Sequence, residues 1–383
     1  MSVEKKHILI FVDWYYPGYK AGGPIQSCRN IVEHLKNDFR FSVVTRDTDF
    51  GEDKPYKTIK SNEWNESEDG SKVYYISSDK LTWRLIRSFV QSDIGIIYLN
   101  SFFSFYFTLL PLLFLRNKQK PVILAPRGML GIGALEIKSF KKRFFLFIST
   151  LFGLYKNVSW HASTYLEAEE IKRVFPNASI NVAPNLPSKR ELKYFSRVKG
   201  KNTINLFFLS RISTKKNLLA VFDYLEKIKD KYQVLLDVIG PSEDQVYWKQ
   251  CEQRIALLQK KKNIVIRYVG SVPHSELTER LKEYHFLILP TLNENFGHVI
   301  IDAFAAGCPV IISDQTPWRN LTNKGVGWDI PLNSPDLFVT AIEEAASMTQ
   351  ESYYAMSEKA FQLAVNYFQN KDIIEQNRKL FQK

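Results

Sequence analysis

Glu294 and Asp302 stand eight positions apart in a stretch, Phe286 to Ser313, that reads as strand, loop, helix and strand. The first acid falls on the loop and the second inside the first turns of the helix. Gly297 is placed to open that helix, so the backbone N–H groups of Phe296, Gly297, His298 and Val299 form a ready anion site at its N-terminus. By spacing alone the same residues fit an acidic cap followed by a surface aspartate.

A second group, Arg211 and Lys216 in Leu209-Ser-Arg-Ile-Ser-Thr-Lys-Lys-Asn217, follows an apolar strand run. Arg211 offers planar, forked donors and Lys216 a mobile point charge. That combination suits adjacent phosphoryl groups whose charge grows as a bond breaks; the plainer alternative is a solvated basic turn. A third group is Gly22-Gly23 before Pro24: paired glycines let the backbone approach a ligand, and proline is tolerated where a helix begins. The full dinucleotide fingerprint GxGxxG is absent, and a plain turn fits as well. Asp47-Thr48-Asp49 has a spacing that can hold a divalent cation. Two carboxylates are not a complete metal shell and Arg46 adjoins them, so the expectation is a solvated loop and no metal site.

These loops need strands to position them. Ile8–Val12, Phe41–Thr45, Val73–Ile76, Ile96–Leu99 and Val122–Ala125 recur in the first half, and Ile204–Leu209, Val234–Ile239, Ile264–Val269, Phe286–Leu289 and Val310–Ile312 in the second. The runs are apolar without alternation and separated by helical segments, the pattern of parallel sheets covered on both faces. Two doubly wound α/β domains follow, in which ligands bind beyond the carboxyl ends of strands. The expected boundaries are residues 1–187 and 203–365, with a Pro- and charge-rich linker at about 188–202 and a terminal helix at about 366–383 that packs back on the first domain.

The three loops, in this order on two such halves, resemble the family-4 retaining glycosyltransferases, in particular the bacterial polysaccharide-assembly subset. The most specific match is the pattern Glu-x7-Glu followed by Ala and Gly-x-Pro-Val, met here from Glu294 to Val310, with Asp302 one methylene shorter than the family's Glu. The resemblance implies the GT-B fold, two Rossmann-like domains facing across a cleft, the first for the acceptor and the second for the donor. It also implies that Arg211 and Lys216 hold the donor diphosphate, Glu294 the donor-sugar hydroxyls, Asp302 the ribose, and that Gly23 lies beside the phosphates. Asn217 replaces the more usual glycine of the Arg-x4-Lys element. Where the family often has a His, Arg127 stands in Ala125-Pro-Arg-Gly-Met129. Arg127 and His161 are the acceptor-side candidates, and His161 fits a buried, hydrogen-bonded ring equally well.

The implied activity is retaining transfer of a sugar from a UDP- or GDP-type donor to a lipid-linked or polysaccharide hydroxyl, in surface polysaccharide biosynthesis. The donor is a substrate, so no cofactor is expected, and catalysis is metal-independent. Two rivals stand beside it: a nucleotide-sugar epimerase on the same fold, and a non-catalytic carbohydrate- or lipid-binding protein.

An excess of Lys plus Arg (52) over Asp plus Glu (40) favours anionic partners. Phe102–Lys120 and Lys138–Gly153 are aromatic-rich and flanked by cations, Lys138, Lys141, Lys142 and Arg143 among them. Such segments suit docking on an anionic bilayer or, alternatively, an ordinary buried helix; no nucleic-acid motif accompanies them. Three scattered cysteines without CxxC spacing point to a reducing compartment, and no apolar run is long enough to span a bilayer. The expected location is therefore cytoplasmic, peripheral on the inner face of the membrane.

Overall fold

Uninterrupted runs of Val, Ile, Leu and Phe form two parallel sheets in the computed structural model, which describes residues 5–116, 119–131, 135 and 139–382. In the first, β1 (His7–Phe11), β2 (Arg40–Arg46), β3 (Trp64–Glu66), β4 (Lys72–Ile76), β5 (Ile96–Leu99), β6 (Val122–Leu124), β7 (Val158–Ala162) and β8 (Ser179–Val182) lie in the order β3-β4-β2-β1-β5-β6-β7-β8. All pairs are parallel except β3 on β4. In the second, β9 (Thr203–Leu209), β10 (Gln233–Ile239), β11 (Ile264–Gly270), β12 (Phe286–Leu289), β13 (Val310–Ser313) and β14 (Gly327–Ile330) run parallel in the order β11-β10-β9-β12-β13-β14. The strand order reverses between β1 and β5 in one sheet and between β9 and β12 in the other, which places a crevice at the carboxyl ends of those strands.

Each sheet has its own core. Leu9, Phe11, Leu99, Phe102 and Trp160 belong to the first, and Phe207, Phe208, Phe222, Phe286 and Phe304 to the second. The chain divides into two units, Met1–Lys189 with Asn370–Lys383, and Arg190–Gln369. The terminal helix Lys371–Leu380 belongs to the first: Phe381 packs its ring 5.6 Å from Phe39 and 5.7 Å from Tyr98, and Asn377 Nδ2 donates to Pro184 O at 2.8 Å.

The structure departs from the sequence reading in three places. The stretch read as a linker is, from Arg190 on, part of the second unit. Arg197 is buried and donates to the carbonyls of Leu281 (3.0 Å) and Lys282 (3.1 Å), and Lys199 Nζ donates to Ala346 O at 2.7 Å, its pKa pushed down to about 8 by burial. Charge suggested solvent, but buried carbonyls need donors as much as water does. Second, Asp47 and Asp49 are buried, not in a solvated loop. Third, Phe102–Leu115 takes the buried one of its two readings, but not as a single regular α-helix. It contains a π-turn, Phe105–Leu109, and a short helix, Leu110–Leu115, that send Phe102, Phe107, Leu110, Leu112 and Leu115 into the core and leave Phe105 and Leu113 exposed. The helix Ser139–Leu151 is different: Phe145 and Leu146 pack inward, whereas Phe144 and Phe147 are exposed, as is Phe152 just beyond it. Lys138 lies outside the described residues. Among those residues no helix is long and apolar enough to cross a membrane.

Candidate active site

At the β9/β12 switch of the second unit, two loops are stapled together by the main chain. Leu292 N donates to Lys215 O at 2.9 Å, and Thr291 Oγ1 to the same carbonyl at 3.2 Å. Lys215 and Lys216 sit on one 3₁₀ turn, Thr214–Lys216, which ends at Asn217 in the left-handed region (φ 60°). This explains the departure from glycine: asparagine is among the few side chains that tolerate that conformation, and its Nδ2 gains a bond to Pro290 O at 3.1 Å.

The staple brings Lys216 and Glu294 into direct contact, Nζ donating to Oε2, with each side chain only 16% exposed. Burial alone would push the Glu294 carboxyl up. Lys216, with Lys215 and His298 behind it, outweighs burial and holds it below the ordinary glutamate range. Glu294 N donates to Gln315 O at 2.8 Å, which fixes the loop that carries the acid. Arg211 lies at the end of β9, paired with Glu243 at 3.1 Å and about one third exposed.

Gly297 caps the helix His298–Ala305 with φ 80°, and a Cβ there would come within 2.8 Å of Ile300 Cδ1 and 3.2 Å of Glu294 Cγ. The first helical bond is Ile300 N to Gly297 O at 2.9 Å, so the amides of His298 and Val299 precede the hydrogen-bonded ladder. Phe296 contributes its backbone to this turn while its ring is buried, 4.9 Å from the His298 ring. Val299 packs on the core. Glu294, Phe296, Gly297, His298 and Val299 are thus gathered around one helix start.

Asp302 is on that helix but is already engaged. Arg190 NH2 donates to its Oδ1 at 2.7 Å, and His274 Nε2 lies 3.4 Å from Oδ2. Burial raises the carboxyl's pKa, but the Arg190 guanidinium, then His274, overcome this and hold it well below the usual carboxylate range. Neither partner is a candidate by spacing, since Arg190 is 112 residues from the acid and sits in the supposed linker.

In the first unit, Gly22 (φ 70°, ψ −128°) caps the helix Gly23–Leu35, whose first turn contains Pro24. Arg127 follows β6 at φ 54°. Its Nε donates to Asn100 Oδ1 (2.6 Å), NH1 to Asn185 Oδ1 (2.6 Å) and NH2 to the Tyr98 hydroxyl (2.7 Å). Tyr98 in turn meets His161 Nδ1 at 2.8 Å, and His161 Nε2 meets Ala183 O at 2.8 Å. A carbonyl only accepts, so Nε2 carries the proton, Nδ1 accepts from Tyr98, and Tyr98 accepts from Arg127. Burial, with Arg127 second, brings the His161 pKa down to about 3. Of its two sequence readings, His161 takes the buried, hydrogen-bonded one, at 1% exposure.

Residues 189–363 match the family model described as Glycosyl transferases group 1. A 41.2 kDa protein of the cps region of Klebsiella pneumoniae is 24% identical over 63% of this chain and 66% of its own length. Alpha-monoglucosyldiacylglycerol synthase of Streptococcus pneumoniae is 24% identical over 43% of this chain and 36% of its own. The chain thus spans just under two thirds of the first relative and little over one third of the second. Among solved structures, Anabaena HepE in complex with UDP and glucose superposes with a TM-score of 0.71 at 16% identity, covering 98% of both chains. Two parallel-sheet units of this order, matched along nearly their whole length, give the chain the GT-B fold, and its segment 189–363 is the part that carries the glycosyl transferases group 1 pattern.

Proposed function

We propose that the protein is a retaining, metal-independent glycosyltransferase of the family-4 type, which moves a sugar from a nucleoside diphosphate to a hydroxyl of a lipid-linked or polysaccharide acceptor. The observation that carries this reading is the part-buried Lys216–Glu294 pair beside the glycine-opened helix at the β9/β12 switch. It sets a cation for diphosphate and an ionised acceptor for sugar hydroxyls side by side. The second unit holds the donor, with Arg211, Lys216 and the His298 and Val299 amides on the diphosphate and Asp302 near the ribose. The first unit serves the acceptor, and its Gly22-Gly23 turn offers open backbone to a phosphate.

In the reaction the bond from the anomeric carbon to the diphosphate oxygen breaks, and the acceptor oxygen bonds to that carbon on the same face. The acceptor's proton passes to the departing phosphate. Arg211 and Lys216 stabilise the charge that grows there, and no protein nucleophile takes part. A UDP donor is favoured by the UDP-bound HepE structure, and a lipid-linked acceptor by the diacylglycerol-derived product named for the Streptococcus relative. Exposed Phe144, Phe147 and Phe152 supply a surface for peripheral attachment at the cytoplasmic face of the membrane, and the cps-region relative suits surface polysaccharide assembly.

The test is to incubate the protein with UDP- and GDP-sugars in the presence of EDTA and a lipid-linked or oligosaccharide acceptor, and to determine the product's anomeric configuration by NMR. Retention with a UDP-sugar is the expected result. Inversion, dependence on added metal, or conversion of the sugar nucleotide without an acceptor would each reject the reading.

A further inference from the structure

Asp49 has a set of bonds that the proposed chemistry does not explain. Its carboxylate is buried, yet it meets no cationic side chain in a close ion pair among the described residues. Its ligands are main-chain amides. Oδ2 accepts from Tyr19 N at 3.0 Å and Lys20 N at 3.2 Å, Oδ1 from Lys20 N at 3.3 Å and from its neighbour Phe50 N at 2.7 Å.

Tyr19 and Lys20 lie in the irregular segment between β1 and the helix that Gly22 caps. That segment has no ladder to satisfy its N–H groups, and a carboxylate, which only accepts and has about four lone-pair sites, fits two converging amides. The neighbouring contacts point the same way. Gly18 has no space for a side chain, since a Cβ would stand 2.2 Å from the Tyr56 hydroxyl and 3.0 Å from Asp49 Oδ1. The Tyr75 hydroxyl donates to Tyr16 O at 2.5 Å, and Tyr56 to Thr48 O at 2.9 Å. Gly22 N donates to Tyr19 O at 3.0 Å, so a shift at Tyr19 passes directly to the helix cap.

We infer that Asp49, the second acid of the Asp-x-Asp motif, is a positioning residue that braces the Tyr16–Gly23 loop for glycosyl transfer. The inference rests on the proposed role of Gly22 and Gly23. The carboxylate's lone pairs face amides, which gives the motif a use that needs no cation. Asp47 does not share it: its Oδ2 accepts from Ser61 Oγ at 2.7 Å, away from the loop.

The test uses the whole protein and reads the brace separately from the reaction. In the unmodified protein, hydrogen exchange at the Tyr19 and Lys20 amides is slowed about a hundredfold or more relative to an unstructured peptide, although the loop is partly exposed. Exchange at the unstructured rate would overturn the brace whether or not any variant folds. In Asp49→Asn, which keeps size but turns one acceptor into a donor, those amides exchange about tenfold faster and kcat falls about tenfold, while exchange in the second unit's helix His298–Ala305 is unchanged. Asp47→Asn leaves the two amides protected. Unchanged exchange or unchanged kcat in folded Asp49→Asn overturns the assignment. Gly22→Val separates the two claims: if it leaves turnover intact, the loop has no part in the reaction and the positioning role fails with it, while the exchange data still report whether Asp49 holds the amides.

Discussion

Arg190, the first residue of the second unit, donates from NH2 to Asp302 Oδ1 at 2.7 Å, so the acid expected at the ribose is tied to the start of its own unit. Removing the guanidinium leaves a buried carboxylate with His274 as its remaining partner. Arg190→Ala is expected to cost about 3 kcal/mol in a denaturant titration. The folded-state pKa of Asp302 is depressed, so the stability it contributes is complete above the unfolded value of about 4 and is lost as pH falls below it. The stability difference between the native protein and Asp302→Asn should therefore shrink on acidification from pH 5 to pH 3.

Lys216→Ala and Arg211→Ala should each lower kcat by about a hundredfold to a thousandfold, the usual effect of removing one donor to a developing oxyanion. Lys216→Ala also leaves the part-buried Glu294 without its direct partner, so its melting temperature should fall, whereas that of Arg211→Ala should not, because Arg211 and Glu243 are about one third exposed. Steady-state kinetics paired with thermal melts distinguishes the two.

Glu294→Gln should impair donor use more than folding. The amide keeps the volume and can still accept from Lys216 but loses the ionised acceptor, so KM for the sugar nucleotide should rise or kcat fall, while the melting temperature falls less than in Lys216→Ala. Unchanged donor kinetics would remove Glu294 from the site.

His161 should remain neutral with its proton on Nε2 across the range in which an ordinary histidine titrates. Nitrogen-15 NMR of the ring between pH 4.5 and 8 should show no inflection. Because its folded pKa of about 3 lies below the unfolded value of about 6.5, this residue makes stability fall with decreasing pH through that interval. The pH-rate profile should carry no limb assignable to it.

Vesicle binding should depend on the exposed ring face of the helix Ser139–Leu151. Phe144→Ser with Phe147→Ser is expected to lower partitioning onto anionic vesicles by at least about tenfold in a sedimentation assay, given about 1.5–3 kcal/mol for burying each ring. Nucleotide binding should be unaffected. Undiminished partitioning would assign that face another use.

What the sequence made legible follows from the range of the interactions concerned. The continuous apolar strands could be read because every residue of β5 and β12, and of β1 after His7, carries the same signal. Glu294, Gly297 and Lys216 could be read because each lies in the loop or turn that directly follows a strand. β7 is hidden in the sequence because Ser159 and His161 interrupt its apolar run, and β14 because Gly327-Trp-Asp-Ile is too short to show a period. The partners of Asp302 and of Asp49 were illegible for a different reason: they are set by chain segments brought together only by the sheet, and a buried carboxylate paired with distant amides looks, in sequence, like any surface acid.

The second unit is an insertion within the first, entered at Arg190 and left at Gln369, and this has a consequence for synthesis. A nascent chain can assemble the β9–β14 sheet as soon as its own residues have emerged. The older sheet must wait, because Phe381, the ring that meets Phe39, Phe41 and Tyr98, is translated about 340 residues after the first two of those partners. The half made first is completed last, so ribosome-associated chaperones would meet an unfinished amino-terminal half throughout translation, and a stop codon just before residue 371 would damage the unit farthest away in sequence.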